Sequence, residues 1–508
     1  MPRPKGKGTL LDLALEAGAA QPLAQQLYAE LRAAILSGRL RGGDRLPASR
    51  VLAAELGVSR NTSLAALEQL ISEGYVEARR GSGSYVAQSL PDARPTRVQP
   101  PSRRAEVAVP SPQGPAMLSK RGRMLAGIQR TVSRDKGAWW PCFAPGVPDC
   151  SDFPFDQWAR LLARSWRRPA AGLYEASDPA GHPALRAAIA DHLRQARGVD
   201  CTAEQVIVLS GIRQAVDLTC RLLLDPGDAA WVEDPGYPGL RAAIAGSGAR
   251  LIHVPVDDEG LVVASGIKRA AKARLACVAP SHQFPLGVVL SLQRRLQLLA
   301  WARDAKAWVL EDDYDSEFRY EGRPLATLQS LDEDDRVIYV GTLSKMLFPS
   351  LRVGYLVAPK SLAEAFRNAR AAIDDHPPMA AQPALATFFA EGHLAAHVRR
   401  MRKRYRERQK LLLEGAARHL GGALILQPDP AGMHLVAGLS GPLTDADDAA
   451  LAGRLAAAGV SAPALSSYFA ENPKTRGPTT RGLMLGYAAV PDEMIDAGLK
   501  RMAEVLRI

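Results

Sequence analysis

Hydrophobic positions divide the chain into two parts that differ in their period. Between residues 21 and 88, apolar residues recur at the three-to-four spacing of amphipathic helices. This pattern predicts helices over 22–37 and 49–56 and a third helix that Ser59 caps. Two short apolar runs around Gly83 then predict a two-stranded hairpin. The predicted apolar face of the third helix consists of Leu64, Leu67, Leu70 and Ile71.

Beyond about residue 138, strand-like apolar runs alternate with helical stretches. Strands that alternate with helices predict an α/β domain with a mostly parallel central sheet. The runs end in Gly, Asp, Ser or Thr, at the positions where such sheets bind ligands. The predicted strands lie at 206–210, 229–234, 275–280, 308–313 and 337–342.

These patterns divide the chain into four segments: an N-terminal extension (1–20), a helical unit (21–88), a linker (89–137) and an α/β domain (138–508). The linker has seven prolines between residues 89 and 115, which predicts an extended and partly stiff segment. It also has ten Lys or Arg against three Asp or Glu, so it carries most of the net charge of +11. A basic segment indicates an acidic partner such as DNA, although a solvated linker has the same composition.

Composition excludes several classes of protein. With 508 residues, 47% hydrophobic and 23% charged, the chain is expected to form two or three globular units. It has no apolar run long enough to cross a membrane, and Asp12 and Glu16 interrupt the apolar stretch that a signal peptide would need. Five cysteines without a C-x-x-C pair argue against a disulfide framework or structural zinc and favour the cytoplasm.

The order helix, turn, helix and hairpin predicts a winged helix-turn-helix. Arg60 and Asn61 begin its third helix, whose N-terminal end enters the major groove in this motif. Arg can pair with guanine and Asn with adenine, whereas basic residues elsewhere suit phosphates. Each of these residues can equally be an ordinary exposed side chain.

The run over residues 31–87 resembles the GntR-type winged helix. That resemblance implies contact with double-stranded promoter DNA. The candidate contact residues are Arg45, Ser49, Arg50, Ser59, Arg60, Asn61, Thr62, Arg79, Arg80 and Gly83.

Candidate chemistry in the α/β domain centres on Lys345. This lysine follows an apolar strand, and a lysine in an apolar pocket can lose its proton and form a Schiff base with an aldehyde. Arg352 offers a bidentate group for a phosphate. Asp312, at another strand end, could pair with a pyridine nitrogen. The acidic run around Asp312 could also be a solvated turn, or a metal site, which is less favoured because no histidine joins the run.

Together these runs resemble fold type I aminotransferases, which hold pyridoxal 5′-phosphate (PLP), over about residues 140–508. The resemblance implies that Lys345 carries the Schiff base, Asp312 pairs with the pyridinium and Tyr237 stacks on the ring. Tyr314 and either His282 or Gln283 would contact the phenolic oxygen. The phosphate would be surrounded by Gly211, Arg213, Gln214, Thr342, Ser344 and Arg352, with Tyr174 reaching the phosphate of the partner subunit in a homodimer.

A GntR-type head before such a domain is the layout of the MocR/GabR regulators. This layout implies a regulator that senses a small amine or a B6 vitamer; the alternative is a working aminotransferase with an attached DNA-binding domain. Family aminotransferases hold the substrate carboxylate with an arginine near the C-terminus, where this chain has Met484. Arg481 or Arg213 could supply the missing charge for the effector.

Overall fold

A computed structural model describes residues 15, 21–79, 82–90, 118–126, 143–167, 175, 177–322, 325–470 and 480–508. The chain divides into two compact units, Met1–Gln113 and Gly114–Ile508. Each unit has its own buried apolar core, so the two are described separately.

The N-terminal unit is a three-helix core followed by a hairpin, as the sequence predicts. Its elements are α1 (Leu23–Leu36), α2 (Ser49–Leu56), α3 (Arg60–Ser72), β1 (Val76–Arg79) and β2 (Gly83–Val86). β1 and β2 pair antiparallel, with Val76 opposite Val86 and Arg79 opposite Gly83. The helices and the hairpin enclose one apolar cluster.

The buried face of α3 differs from the prediction by one residue at its start. Leu64 is 39% exposed, whereas Ser63, Ala66, Leu67 and Leu70 are buried. These four follow the i, i+3, i+4, i+7 spacing of one helical face, and Leu64 falls outside it. Ser63 is tolerated in the core because its hydroxyl donates to the Ser49 carbonyl at 2.8 Å.

The second unit contains thirteen α-helices and eleven strands among the described residues. The helices are α4 (Lys120–Ala126), α5 (Phe155–Arg167), α6 (Pro183–Arg197), α7 (Ile212–Leu223), α8 (Pro238–Ser247), α9 (Val263–Ala270), α10 (Leu292–Asp304), α11 (Leu328–Leu331), α12 (Ala363–Asp374), α13 (Gln382–Ala390), α14 (His393–His419), α15 (Asp448–Ala457) and α16 (Asp492–Leu506). The strands are β3 (Val206–Leu209), β4 (Ala229–Asp234), β5 (Arg250–Asp257), β6 (Gly260–Leu261), β7 (Leu275–Val278), β8 (Trp308–Asp313), β9 (Val337–Thr342), β10 (Gly354–Val357), β11 (Leu424–Leu426), β12 (His434–Leu439) and β13 (Gly482–Gly486).

The eight-stranded central sheet has the order β3-β10-β9-β8-β7-β4-β5-β6. Neighbouring strands from β9 to β5 are parallel, while β10 runs antiparallel to both β3 and β9. This confirms the mostly parallel sheet and all five predicted strands. The carboxyl ends of β3, β9, β8, β7 and β4 therefore meet along one edge of the sheet.

A smaller antiparallel sheet, β11-β12-β13, forms the C-terminal part together with α14 and α16. Leu483 and Leu485 of β13 belong to the core between this sheet and its helices. Successive side chains on a strand point to opposite faces, so Met484 lies on the other face of the sheet. Met484 is nevertheless fully buried.

Helix α4 lies inside the segment predicted to be an extended linker. It packs on α8, where a Cβ added to Gly246 would lie 3.1 Å from the Leu125 side chain. The seven prolines of that segment lie outside the described residues, as does the N-terminal extension except Leu15. Among the helices that the structure describes, none is long and apolar enough to span a membrane.

Candidate functional site

The first turn of α3 is fixed by its own N-cap. The Ser59 hydroxyl accepts a hydrogen bond from the Thr62 N–H at 3.1 Å and lies 2.8 Å from the Thr62 hydroxyl. An N-cap of this kind satisfies one of the free donors at the start of a helix. Arg60 and Asn61, the two predicted base contacts, are exposed on this turn.

The other DNA candidates lie in α2 and around the hairpin. Arg50 is exposed in the first turn of α2, next to Ser49. The Arg79 guanidinium lies 4.8 Å from the Tyr85 ring centroid and 3.5 Å from the Glu77 carboxylate. A Cβ added to Gly83 would lie 3.2 Å from the Arg45 side chain. The hairpin therefore places two arginines close to its tip; Arg80 lies outside the described residues.

In the second unit, the sheet brings most of the predicted site residues to one edge. Asp312 is the second-to-last residue of β8 and pairs with Val340 of β9, the strand that leads to Lys345. Gly354, which begins β10, pairs with both Leu209 and Thr342, so the ends of β3 and β9 lie on either side of it. Parallel strand ends thus gather segments that are far apart in the sequence.

Lys345 is partly buried, and its ammonium nitrogen donates to the Gly146 carbonyl. Burial lowers the pKa of Lys345, and the charges of Asp315 and Asp312 oppose this only in part. A lowered pKa favours the neutral amine, which is the nucleophilic form of a lysine.

Asp312 lies in a region of strong negative charge. Burial and then the charges of Asp313 and Asp315 raise the pKa of Asp312, Lys345 acts in the opposite direction, and the net pKa is about 7. Asp313 is paired with Arg197 at 2.9 Å. Within the described part of the chain, no group of His, Cys, Asp or Glu is arranged to hold a metal ion.

Glu233 is a second buried carboxyl beside Asp312 that the sequence analysis missed. Burial raises its pKa to about 8, and its oxygens accept from the Ala279 N–H and the Gln283 amide, both at 3.3 Å. Its position at the end of β4, four residues before Tyr237, was the available signal. Glu233 lines a small pocket at the sheet edge together with Tyr237, Leu240, Arg241, Phe284 and Asp312.

The predicted phosphate region has an open helix N-terminus and free polar groups. Gly211 precedes α7 with φ of 122° and provides no side-chain cap. A Cβ at Gly211 would lie 3.9 Å from both terminal nitrogens of Arg352. The Ser344 hydroxyl is buried and has no hydrogen-bond partner among the described residues. The Thr342 hydroxyl lies next to it and accepts from the Ser344 N–H at 3.2 Å.

Gln214 is not free for a ligand in the same region. Its carbonyl oxygen accepts from the Ser210 N–H at 2.7 Å, and its amide donates to Asp374 at 2.8 Å. Gln214 therefore orders the loop that leads to Gly211.

The loop after β7 differs most from the prediction. Both ring nitrogens of His282 face carboxylates, those of Asp315 and Asp429. The Gln283 amide donates to the carbonyls of Pro235 and Phe284. Neither side chain is free to contact a ring in the pocket; the loop presents the Phe284 ring there, which meets Tyr237 edge-on at 5.9 Å.

The structure gives different surroundings to the two arginines that could replace the missing carboxylate-binding arginine. Arg213 is exposed, and its guanidinium lies 5.9 Å from the Tyr237 ring centroid and 3.4 Å from the Tyr237 hydroxyl. Arg481 immediately precedes β13 and donates to the Asp445 carbonyl at 3.2 Å. Arg481 is not among the residues that line the small pocket beside Asp312. Tyr174 lies outside the described residues.

Two family descriptions match the two units. Residues 23–86 match the gntR family of bacterial regulatory proteins, and residues 147–502 match aminotransferase class I and II. The chain belongs to the MocR/GabR subfamily of GntR-type transcription regulators, in which a DNA-binding winged helix is fused to an aminotransferase-like domain.

Several named relatives share the whole layout. The chain is 40% identical to the probable rhizopine catabolism regulatory protein MocR of Rhizobium meliloti, over 96% of this chain and 95% of that protein. It is 34% identical to the pyridoxine biosynthesis transcriptional regulator PdxR of Corynebacterium glutamicum, over 90% and 91% of the two chains.

Among solved structures, kynurenine aminotransferase of Pyrococcus horikoshii matches with a TM-score of 0.64 and 26% identity, over 73% of this chain and 91% of that one.

Proposed function

We propose that this regulator binds PLP through Lys345, senses a small amine or a B6 vitamer there, and changes its binding to promoter DNA in response. The observation that carries the proposal is the partly buried amine of Lys345, whose pKa is lowered, at the same sheet edge as the Asp312 carboxylate. This pair of groups is what an aldehyde cofactor with a pyridine nitrogen requires.

The residues present fit the cofactor. The Ser344 hydroxyl is a buried donor without a partner, and the helix N-terminus at Gly211, with Arg352 beside it, suits a phosphate. Asp312 would hold the pyridine nitrogen protonated, and the Tyr237 ring would cover the flat face. When bound, PLP supplies an electrophilic aldehyde and an electron-withdrawing ring.

The effector is an amine that does not rely on the usual carboxylate arginine. Met484 stands where the resemblance implies this arginine, and its side chain is buried, so this position supplies no guanidinium. If the effector is anionic, Arg213 is the group that we expect to bind it, because it lies against the Tyr237 ring. Replacing Arg213 with Ala should then weaken the response to an anionic amine but spare the response to a neutral one, as DNA-binding titrations with each amine would measure.

Binding of DNA is proposed to involve the first turn of α3 and the hairpin arginines, in a homodimer whose two heads contact paired half-sites. Arg60→Ala should weaken operator binding by about 1–3 kcal/mol if Arg60 contacts a base edge. Arg60→Lys keeps the charge and loses the bidentate geometry, so it should recover little of that affinity. Full recovery by lysine would mean that Arg60 contacts only phosphate.

Trapping the cofactor tests the proposed attachment. Borohydride reduction of the purified protein with PLP should label one peptide, the one containing Lys345. Lys345→Ala should abolish the label, whereas Lys360→Ala, which alters an exposed lysine 3.4 Å from Asp200, should leave it unchanged. A label on another lysine would contradict the assignment.

A turnover assay tests the alternative of a working aminotransferase. Common amino donors with several keto acids should give slow turnover or none, because the carboxylate-binding arginine is absent. Turnover near the typical enzyme value of about 10 s⁻¹ would favour the enzyme over the sensor.

A further inference from the structure

His282 is held between two carboxylates in a way that determines its protonation. Its Nδ1 lies 2.9 Å from Asp315 and its Nε2 lies 3.1 Å from Asp429. An ionised carboxylate can only accept a hydrogen bond, so both ring nitrogens must carry protons. Although burial by itself lowers the pKa of His282, the charges and hydrogen bonds of Asp315 and Asp429 outweigh it and raise the pKa to about 10.

The surrounding groups leave His282 little freedom to move or to exchange its proton. The nearby His434 has a pKa lowered to about 4 by burial and by the His282 charge, so it stays neutral and accepts no proton at physiological pH. Gly287 and Gly432 both have positive φ, and a Cβ on Gly432 would overlap the His282 ring. Two loops therefore enclose the imidazole, and they can approach it this closely only because Gly287 and Gly432 have no side chain.

The same Nδ1 also lies 3.0 Å from the Tyr314 hydroxyl. Nδ1 carries one proton, which it shares between Asp315 and Tyr314, so toward Nδ1 the tyrosine oxygen can only accept. The proton of Tyr314 itself must then point away from His282. Burial, with Asp315 and Asp312, keeps the pKa of Tyr314 well above its ordinary value, so the hydroxyl retains this proton.

We propose that His282 is a positioning residue: held as a cation by Asp315 and Asp429, it makes the Tyr314 hydroxyl an acceptor and so directs the Tyr314 proton toward the phenolic oxygen of the cofactor. This inference rests on the proposed function. It also links the cofactor edge to the segment that contains Asp429, which comes from the C-terminal part of the unit. With a neutral His282, Tyr314 could instead donate to the imidazole, and the ring oxygen would lose its donor.

The first test uses the full-length protein without cofactor. With ¹³C-labelled histidine rings, nuclear magnetic resonance should show His282, assigned by the loss of its signal in His282→Gln, as an imidazolium up to about pH 9. Asp429→Asn should lower its titration midpoint by at least one pH unit, because one of two carboxylates is removed. An imidazole that is neutral at pH 8 would overturn the proposal, whether or not PLP binds.

The second test measures the pH at which the visible absorbance of the PLP-loaded protein changes. Tyr314→Phe should raise this midpoint by about one pH unit, since a donor to an oxyanion is lost. His282→Gln should shift it in the same direction, and the double variant should shift it no further. Additive shifts would show that His282 does not act through Tyr314. If His282→Gln does not fold, Asp429→Asn combined with Tyr314→Phe gives the same comparison.

The two tests separate the inference from the proposed function. Absence of any visible absorbance in the unaltered protein would refute cofactor binding and leave the charge state of His282 to the first test. Normal absorbance with a midpoint that His282→Gln and Asp429→Asn do not change would refute the positioning role alone.

Discussion

Ser59→Ala should loosen the first turn of α3, the turn proposed to enter the major groove. The change removes the hydroxyl that accepts from the Thr62 N–H at 3.1 Å. Loss of an N-cap serine costs about 1 kcal/mol, and the freed N–H here can still be hydrated because Ser59 is exposed. An energy of this size corresponds to an about fivefold higher population of the open turn.

Hydrogen exchange measured on the full-length protein can detect this opening. Peptides that cover the start of α3 should exchange about fivefold faster in Ser59→Ala, while α1 should be unaffected if the opening is local. Ser59→Asp is the matched control, because a carboxylate oxygen also caps a helix. It should restore slow exchange yet weaken DNA binding, since it places a negative charge near the phosphates. Equal exchange in all three proteins would refute the capping argument.

Three further predictions concern the second unit. Asp313→Asn leaves the buried Arg197 without its carboxylate partner, so chemical denaturation should show a free energy of unfolding lower by about 3–5 kcal/mol. Adding Arg197→Met should recover part of the lost stability. Gly453→Ala should stabilise α15 by about 0.5–1 kcal/mol, because no atom lies near the new methyl group. Gly246→Ala should stabilise α8 less and speed hydrogen exchange in α4, because the new methyl group meets Leu125 of α4. The pKa of Glu233 is raised from 4.5 to about 8, so the folded state favours the protonated carboxyl and loses stability as the pH rises through that window. Glu233→Gln should therefore flatten the fall in melting temperature of the cofactor-free protein between pH 5 and 9. An unchanged slope would contradict this.

The elements and the location of the site could be predicted because they depend on local patterns. Five apolar runs gave five strands, and their carboxyl ends had to meet, which placed Asp312 and Lys345 at one edge. The partners of His282 could not be predicted in this way. Asp429 lies 147 residues further along the chain and reaches the imidazole only through the packing of the C-terminal part.

Smaller errors have physical causes as well. Leu64 is apolar but lies one step off the buried face, because Ser63 takes a core position through its hydrogen bond to α2. Composition predicted a linker where α4 forms, since the prolines dominate that segment and its short helical stretch is too brief to show a clear period. The roles of Phe284 and Glu233 depend on which loop atoms are already paired, which the sequence does not reveal.

Helix α8 contacts the proposed cofactor site at one end and α4 at the other. Tyr237, the proposed stacking residue, is the N-cap of α8, and Gly246 near the other end of that helix is where α4 rests. Ten helical residues span about 15 Å, so a tilt of about 10° at the tyrosine end moves the far end by about 2.6 Å. A displacement of that size would shift the contact between Gly246 and Leu125 of α4. Such a tilt of α8 needs no rearrangement of the central sheet.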